Sequence, residues 1–128
     1  MDNLDPTRHL LTQFTWRYEA AWTLLWSLSY VETLAWPSAI CDAAAAVAPL
    51  ANADRETFVA GAVLRPLADI LDAADLVYRQ HWATRNAKLK GEPIPDSLND
   101  DVIVERHYAL NWLIGYMGED WDDITTDT

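Results

Sequence analysis

Cysteine is almost missing from this chain: Cys41 is the single one in 128 residues. A lone thiol excludes an internal disulfide framework and suits a reducing compartment. Glycine is also sparse, at four residues, while alanine recurs in clusters, and that balance favours helices over sheets. Positive charge is scarce. Nine Lys and Arg stand against twenty Asp and Glu, giving a formal net charge of −11, so no binding to a nucleic-acid backbone is expected. Long apolar runs are missing as well. The most apolar one, Ala20 to Val31, is bounded by Glu19 and Glu32 and is too short to span a bilayer. Asp2, Asp5 and Arg8 interrupt any leader-like start, so the expectation is a soluble cytoplasmic protein without membrane attachment.

Catalytic signatures are missing too. The chain has no HExxH, no paired-cysteine motif, no Walker loop, no GxSxG and no GxGxxG. His9, His81 and His107 fall on different predicted helices without ligand spacing, so no metal and no cofactor is expected. Cys41 lies near a predicted helix N-terminus, where a thiolate is favoured, but no histidine can be paired with it from the sequence. A small buried apolar cysteine is the commoner case.

What is present is bulk. Seven tryptophans and 51% hydrophobic residues describe a folded globule with a core or interface rich in large aromatics. At this length roughly two-thirds of the unfolded surface can be buried in one domain. The expected organisation is a single all-α domain over 1–128, a bundle of about five helices with an acidic C-terminal tail. Asp5-Pro6 is a helix-start pair. From Trp16 the segment WRYEAAWTLLWSLSYV is apolar on nearly all sides after Ala20, which predicts a central helix reaching Val31. A short helix over Ala39–Leu50, begun by Cys41 and Asp42, follows the Trp36-Pro37 break; its alanines allow close approach to a neighbour. Asp54 is a predicted N-cap for another short helix to about Leu64. The last helix is expected from Asp100 to Met117, with Gly118 as its stop and Trp121 folding back onto the body. On it, Val104, Tyr108 and Trp112 form a second apolar stripe, either sandwiched or an exposed contact surface.

The longest helical pattern is Leu64 to Leu89, with Pro66 in its first turn and Gly91 as its stop. Advancing about 100° per residue puts Leu67, Ile70, Leu71, Ala74, Tyr78, His81, Trp82, Arg85 and Leu89 on one stripe. Asp69, Asp72, Arg79 and Gln80 fall on the expected solvated face. His81 and Arg85 sit near the middle of the apolar stripe, and Arg106 holds the same position on the last helix. A guanidinium in such a place needs a carboxylate, carbonyls, water or a ligand. Glu19, flanked by Trp22 and Trp26, is an internal candidate, and the terminal carboxylates are others. Glu19, Tyr78, His81, Arg85, Glu105 and Arg106 are therefore the candidate ligand-binding residues. They form either a satisfied structural network or a site for an anionic small molecule, with hydrolysis as a variant; no residue is assigned as catalytic.

Charge is unevenly spread. Between Glu92 and Asp127 there are ten acidic residues and one basic residue, Arg106. Such a surface repels phosphates and attracts a basic protein. Trp121, Asp122, Asp123 and Asp127 are the candidate partner-binding residues. The leading expectation is a non-enzymatic interaction protein that engages a basic partner, an immunity-like toxin inhibitor being one form.

Several segments, taken together, resemble one family. LRPLADILDAADLVYRQHWATRNAKL, then VERHYALNWLIGY and the closing WDDITTDT, are similar to the bacterial family called domain of unknown function 4272. WRYEAAWTLLWSL and WPSAICD fit the same pattern, and Arg65-Pro66, His81-Trp82, Glu105-Arg106, Asn111-Trp112 and Trp121-Asp122 fall in order. The resemblance runs from about Phe14 to the end. It implies a mostly helical intracellular domain and no activity. Members are often longer at the N-terminus, which implies a short or trimmed member here.

Overall fold

A computed structural model describes residues 18–51, 53–126 and 128. Five α-helices and three short 3-10 turns, with no strand among the described residues, make an all-α single domain. The helices are α1 (18–27), α2 (Ala43–Ala51), α3 (Arg55–Gly61), α4 (Leu67–Leu89) and α5 (Asp100–Leu113). The Asp5-Pro6 helix start and Asp127 lie outside the described residues.

The architecture is an antiparallel α4–α5 pair with α1 laid against it. Cross-helix partners run in opposite directions along the pair, Lys88 and Thr84 meeting Asp100 while His81 meets His107. Leu25, Trp26 and Val31 from α1 and its exit join Ile70, Ala74, Val77, Ile103 and Leu110 in the core. Helices α2 and α3 contribute little: Ala46 is the one buried side chain described in α2, and α3 buries none.

Helix α1 ends four residues short of the expected Val31. Ser29 takes a left-handed backbone (φ 67°), and Tyr30 N–H donates to Leu25 O while Ser29 N–H donates to Trp26 O. That is a Schellman stop built on serine in place of the usual glycine. Ser29 Oγ is held by Val63 O at 2.6 Å, an interaction 34 residues distant that no local pattern announces. Arg65 then fills the end of the helix. Its Nε donates to Trp26 O, its Nη2 to Val31 O and Glu32 O, and its guanidinium lies 4.8 Å from the Trp26 ring. A cation over exposed C-terminal carbonyls is favoured by hydrogen bonding and by the helix dipole.

Other ends follow local chemistry. Asp54 caps α3 by accepting from Thr57 N–H, and Gly91 (φ 66°) terminates α4, both as the sequence indicates. Several boundaries move: α3 ends at Gly61, short of Leu64, and α4 starts at Leu67, with Pro66 as its N-cap and not within its first turn. Cys41 and Asp42 precede α2, Asp42 accepting from Ala44 N–H as a cap. Helix α5 stops at Leu113 because Gly115 (φ 71°) supplies the left-handed position that was expected of Gly118.

The inward face of α4 is rotated from the expected stripe. Its buried residues are Ile70, Ala74, Val77, Gln80, His81, Thr84 and Ala87. Leu67, Leu71, Tyr78, Trp82 and Leu89 are exposed, and so is Arg85. Gln80, expected in solvent, is buried. The reason is the polar character of the seam, where Thr84 and His81 face Asp100 and His107 on α5. Hydrophobicity alone cannot locate an inward face made of such residues. Among the described residues, no helix is long and apolar enough to cross a membrane.

Candidate functional site

Glu19 and Arg106 meet across 87 positions of sequence. Arg106 Nε donates to Glu19 Oε1 at 3.0 Å, with the two side chains 7% and 0% exposed. Arg106 Nη1 donates to Ala35 O at 2.6 Å, and Glu19 Oε2 accepts from Cys41 N–H at 2.7 Å. The pair is therefore neutral, desolvated and fastened at both ends, as a buried ion pair must be to persist. Cys41 sits beside it. Burial, and then the neighbouring Glu19 charge, push its thiol up to about 12, so it is a protonated group at neutral pH and not a nucleophile.

A second polar group lies on the α4–α5 seam. His81 Nδ1 and His107 Nδ1 are 2.8 Å apart, one ring edge-on to the other. Two imidazoles so placed must share one proton, one donating and the other accepting. Tyr78 stands edge-on to His107, with ring centroids 5.9 Å apart. Asp100 closes the seam: burial raises its carboxyl, but hydrogen bonds from Lys88 and Thr84 outweigh that and hold it below its ordinary range.

Burial also holds His81 below its ordinary 6.5, with Arg85 and Lys88 acting the same way and Asp100 opposing. Unfolded chains therefore bind more protons than folded ones between the depressed value and 6.5, and stability falls as pH drops through that window. Urea titrations from pH 7 toward pH 5 should show this loss, and His81→Gln should flatten it. Equal slopes in the two proteins would remove His81 as the cause.

Two clefts flank the α4–α5 seam. One, of about 260 Å³, is walled by Trp26, Leu34, Trp36 and Leu76 and contains Gln80 and Arg106. The other, of about 270 Å³, is lined by Leu71, Tyr78, His107 and Asn111 among others. The sequence candidates are thus divided. Glu19 and Arg106 come together at the first cleft. His81 and Tyr78 gather with His107 toward the second. Glu105 is half-buried on α5 and interacts with its surroundings. Arg85 joins neither group, because it projects outward from α4 one position beyond the buried Thr84, whereas Arg106 is buried. His107, Gln80 and Arg65 carry structure or polarity that the sequence did not single out as site residues. Gln80 looked like an ordinary solvated position.

The C-terminal segment folds back on α5. Tyr108 Oη donates to Trp121 O, Asn111 Nδ2 donates to Thr125 O at 2.8 Å, and Trp121 packs edge-on to Tyr108 and Trp112. The second stripe of α5 is therefore covered in part, leaving Trp112 at 42% exposure. Glu119, Asp120, Asp122 and Asp123, which flank Trp121 in sequence, are exposed, and so is Met117. The described ion pairs, Arg79–Asp75, Lys88–Asp100 and Arg106–Glu19, engage none of these four carboxylates.

A family model described as "Domain of unknown function (DUF4272)" matches residues 1–124. No curated protein and no solved structure matches the chain.

Proposed function

Because the chain belongs to the family described as domain of unknown function (DUF4272), whose description assigns no activity, we propose a function from its own surface. The protein is a non-enzymatic binding domain whose acidic, aromatic C-terminal face receives a basic segment of another protein. One observation carries this reading: Trp121, seated on Trp112, is flanked in sequence by four exposed carboxylates that the described ion pairs leave unengaged, and Trp112 and Met117 are exposed nearby in the chain. Aromatic and methionine anchors inside a charged rim are what protein interfaces concentrate. The surplus of negative charge steers a cationic partner toward them. An inhibitor that covers a basic nuclease, in the manner of toxin immunity proteins, is one concrete form, and a lone cysteine fits a cytoplasmic place of action. The hydrolytic alternative has less support, since Arg106 and His107 line different clefts.

The test is binding of a short Lys/Arg-rich peptide, followed by fluorescence anisotropy at low and high salt. Glu119→Gln, Asp120→Asn, Asp122→Asn and Asp123→Asn together should weaken binding by ~tenfold or more, about 1.4 kcal/mol. The control removes the same charge elsewhere, through Glu32→Gln, Glu56→Gln, Asp69→Asn and Asp72→Asn, all exposed. Equal losses in the two variants would reduce the effect to net charge and overturn the proposal.

A further inference from the structure

The cleft beside the Glu19–Arg106 pair holds polar groups that nothing within the fold uses. Gln80 is 7% exposed, lines the cleft and makes no hydrogen bond to a described residue. Arg106 is 6% exposed, and while Nε and Nη1 are committed to Glu19 and Ala35, Nη2 donates to no described residue. Neither group is sealed from solvent, so both remain available to a molecule that enters the cleft. The walls around them are apolar: Trp26, Leu34, Leu76 and Leu110, with Trp36 at the rim fixed by donation from its indole to Asp96 O at 2.8 Å. A mostly apolar hollow with a few convergent polar groups is the usual form of a small-molecule site.

The chemistry of the head group follows from the charges. Glu19 already neutralises Arg106, so an anion would compete with a buried carboxylate inside a protein of net charge −11. A cation would face the guanidinium. Arg106 Nη2 offers a donor, and the Gln80 amide offers a donor and an acceptor. A neutral head with a carbonyl and an adjacent N–H matches all three. The volume, about 260 Å³, falls just below the roughly 300–1,000 Å³ of drug-sized ligand pockets, which limits the occupant to a small molecule. We propose that this cleft binds a small uncharged amide or lactam carried on an apolar ring, with the carbonyl on Arg106 Nη2, the N–H on Gln80 and the ring among Trp26, Trp36 and Leu76.

The experiment uses benzamide, benzoate and benzylamine, three probes with one ring and different heads, titrated into the full chain and followed by two-dimensional amide and indole NMR. Benzamide should shift the Gln80 side-chain amide and the Trp26 and Trp36 indoles in a saturable way. Benzoate and benzylamine should bind ~tenfold more weakly, since each misses at least one hydrogen bond. Gln80→Leu, which replaces a buried amide by an apolar group of similar shape and so should not lower the unfolding midpoint, should lose benzamide by about the same factor. If that variant fails to fold, Ala73→Leu, which fills the cleft from α4, serves instead and should abolish the shifts. The proposal is overturned if benzamide shifts signals elsewhere or none at all. It is equally overturned if benzoate binds as well, or if the variants bind benzamide like the parent protein.

Discussion

Glu19→Leu should destabilise the protein by about 3–5 kcal/mol, the usual cost of leaving a buried charge without its counter-ion. Arg106 would keep Ala35 O as an acceptor but lose its carboxylate, while its side chain stays almost wholly shielded from water. A typical domain has roughly 5–15 kcal/mol in total, so this one side chain decides a large fraction of the fold's margin. Arg106→Met should cost a comparable amount, because the fully buried Glu19 would retain only the Cys41 N–H. The double variant is the decisive measurement. Removing both charges into an apolar pair should return stability to within about 1 kcal/mol of the parent, since desolvation of the ions then disappears with their attraction. Urea unfolding with unchanged m-values would establish this. A double variant as unstable as the sum of the singles would mean that packing, and not charge, explains the losses.

Arg65→Met should cost about 2–4 kcal/mol, because one side chain serves three carbonyls at the end of α1 and also covers the Trp26 ring. The carbonyls of Trp26, Val31 and Glu32 would be left without that donor in a half-enclosed place. Arg65→Lys should recover less than half of the loss. An ammonium on a flexible stem cannot present the fixed fork of donors that serves three carbonyls, nor stack as a guanidinium does. Thermal and urea unfolding of the two variants provide the comparison. Full rescue by lysine would show that only the positive charge matters.

Local chemistry was legible in the sequence wherever a residue acts on its own neighbours. Asp54 as a cap and Gly91 as a stop are statements about a few residues, and the structure has them. Glu19 as the counter-ion of a buried arginine was also readable, because a carboxylate set among Trp22 and Trp26 demands a partner. The choice between Arg85 and Arg106 was not. Both fall among apolar residues by helical spacing, and only the polar seam of His81, Thr84, Asp100 and His107 turns α4 so that Arg85 faces water. Ser29 was illegible for a related reason: serine carries no sign of a left-handed stop until Val63 arrives to hold its hydroxyl. At the candidate cleft, Arg106 could be named from its surroundings, whereas Gln80 could not, since its burial is decided by neighbours on α1 and the loop that follows.

The distance in sequence between Glu19 and Arg106 also bears on the order in which the chain assembles. Helices α4 and α5 are joined by a short connection, so their seam can form early from contacts close along the chain. Seating α1 closes a loop of 87 positions and must strip water from both ions as it does so, a step whose entropy is recovered only when the pair is complete. The ion pair then belongs to the last stage of folding. Its loss in Glu19→Leu would appear as faster unfolding with a nearly unchanged folding rate, and the half-buried thiol of Cys41, tied to the same junction through Tyr18 O, would react faster with a labelling reagent as α1 lifts away.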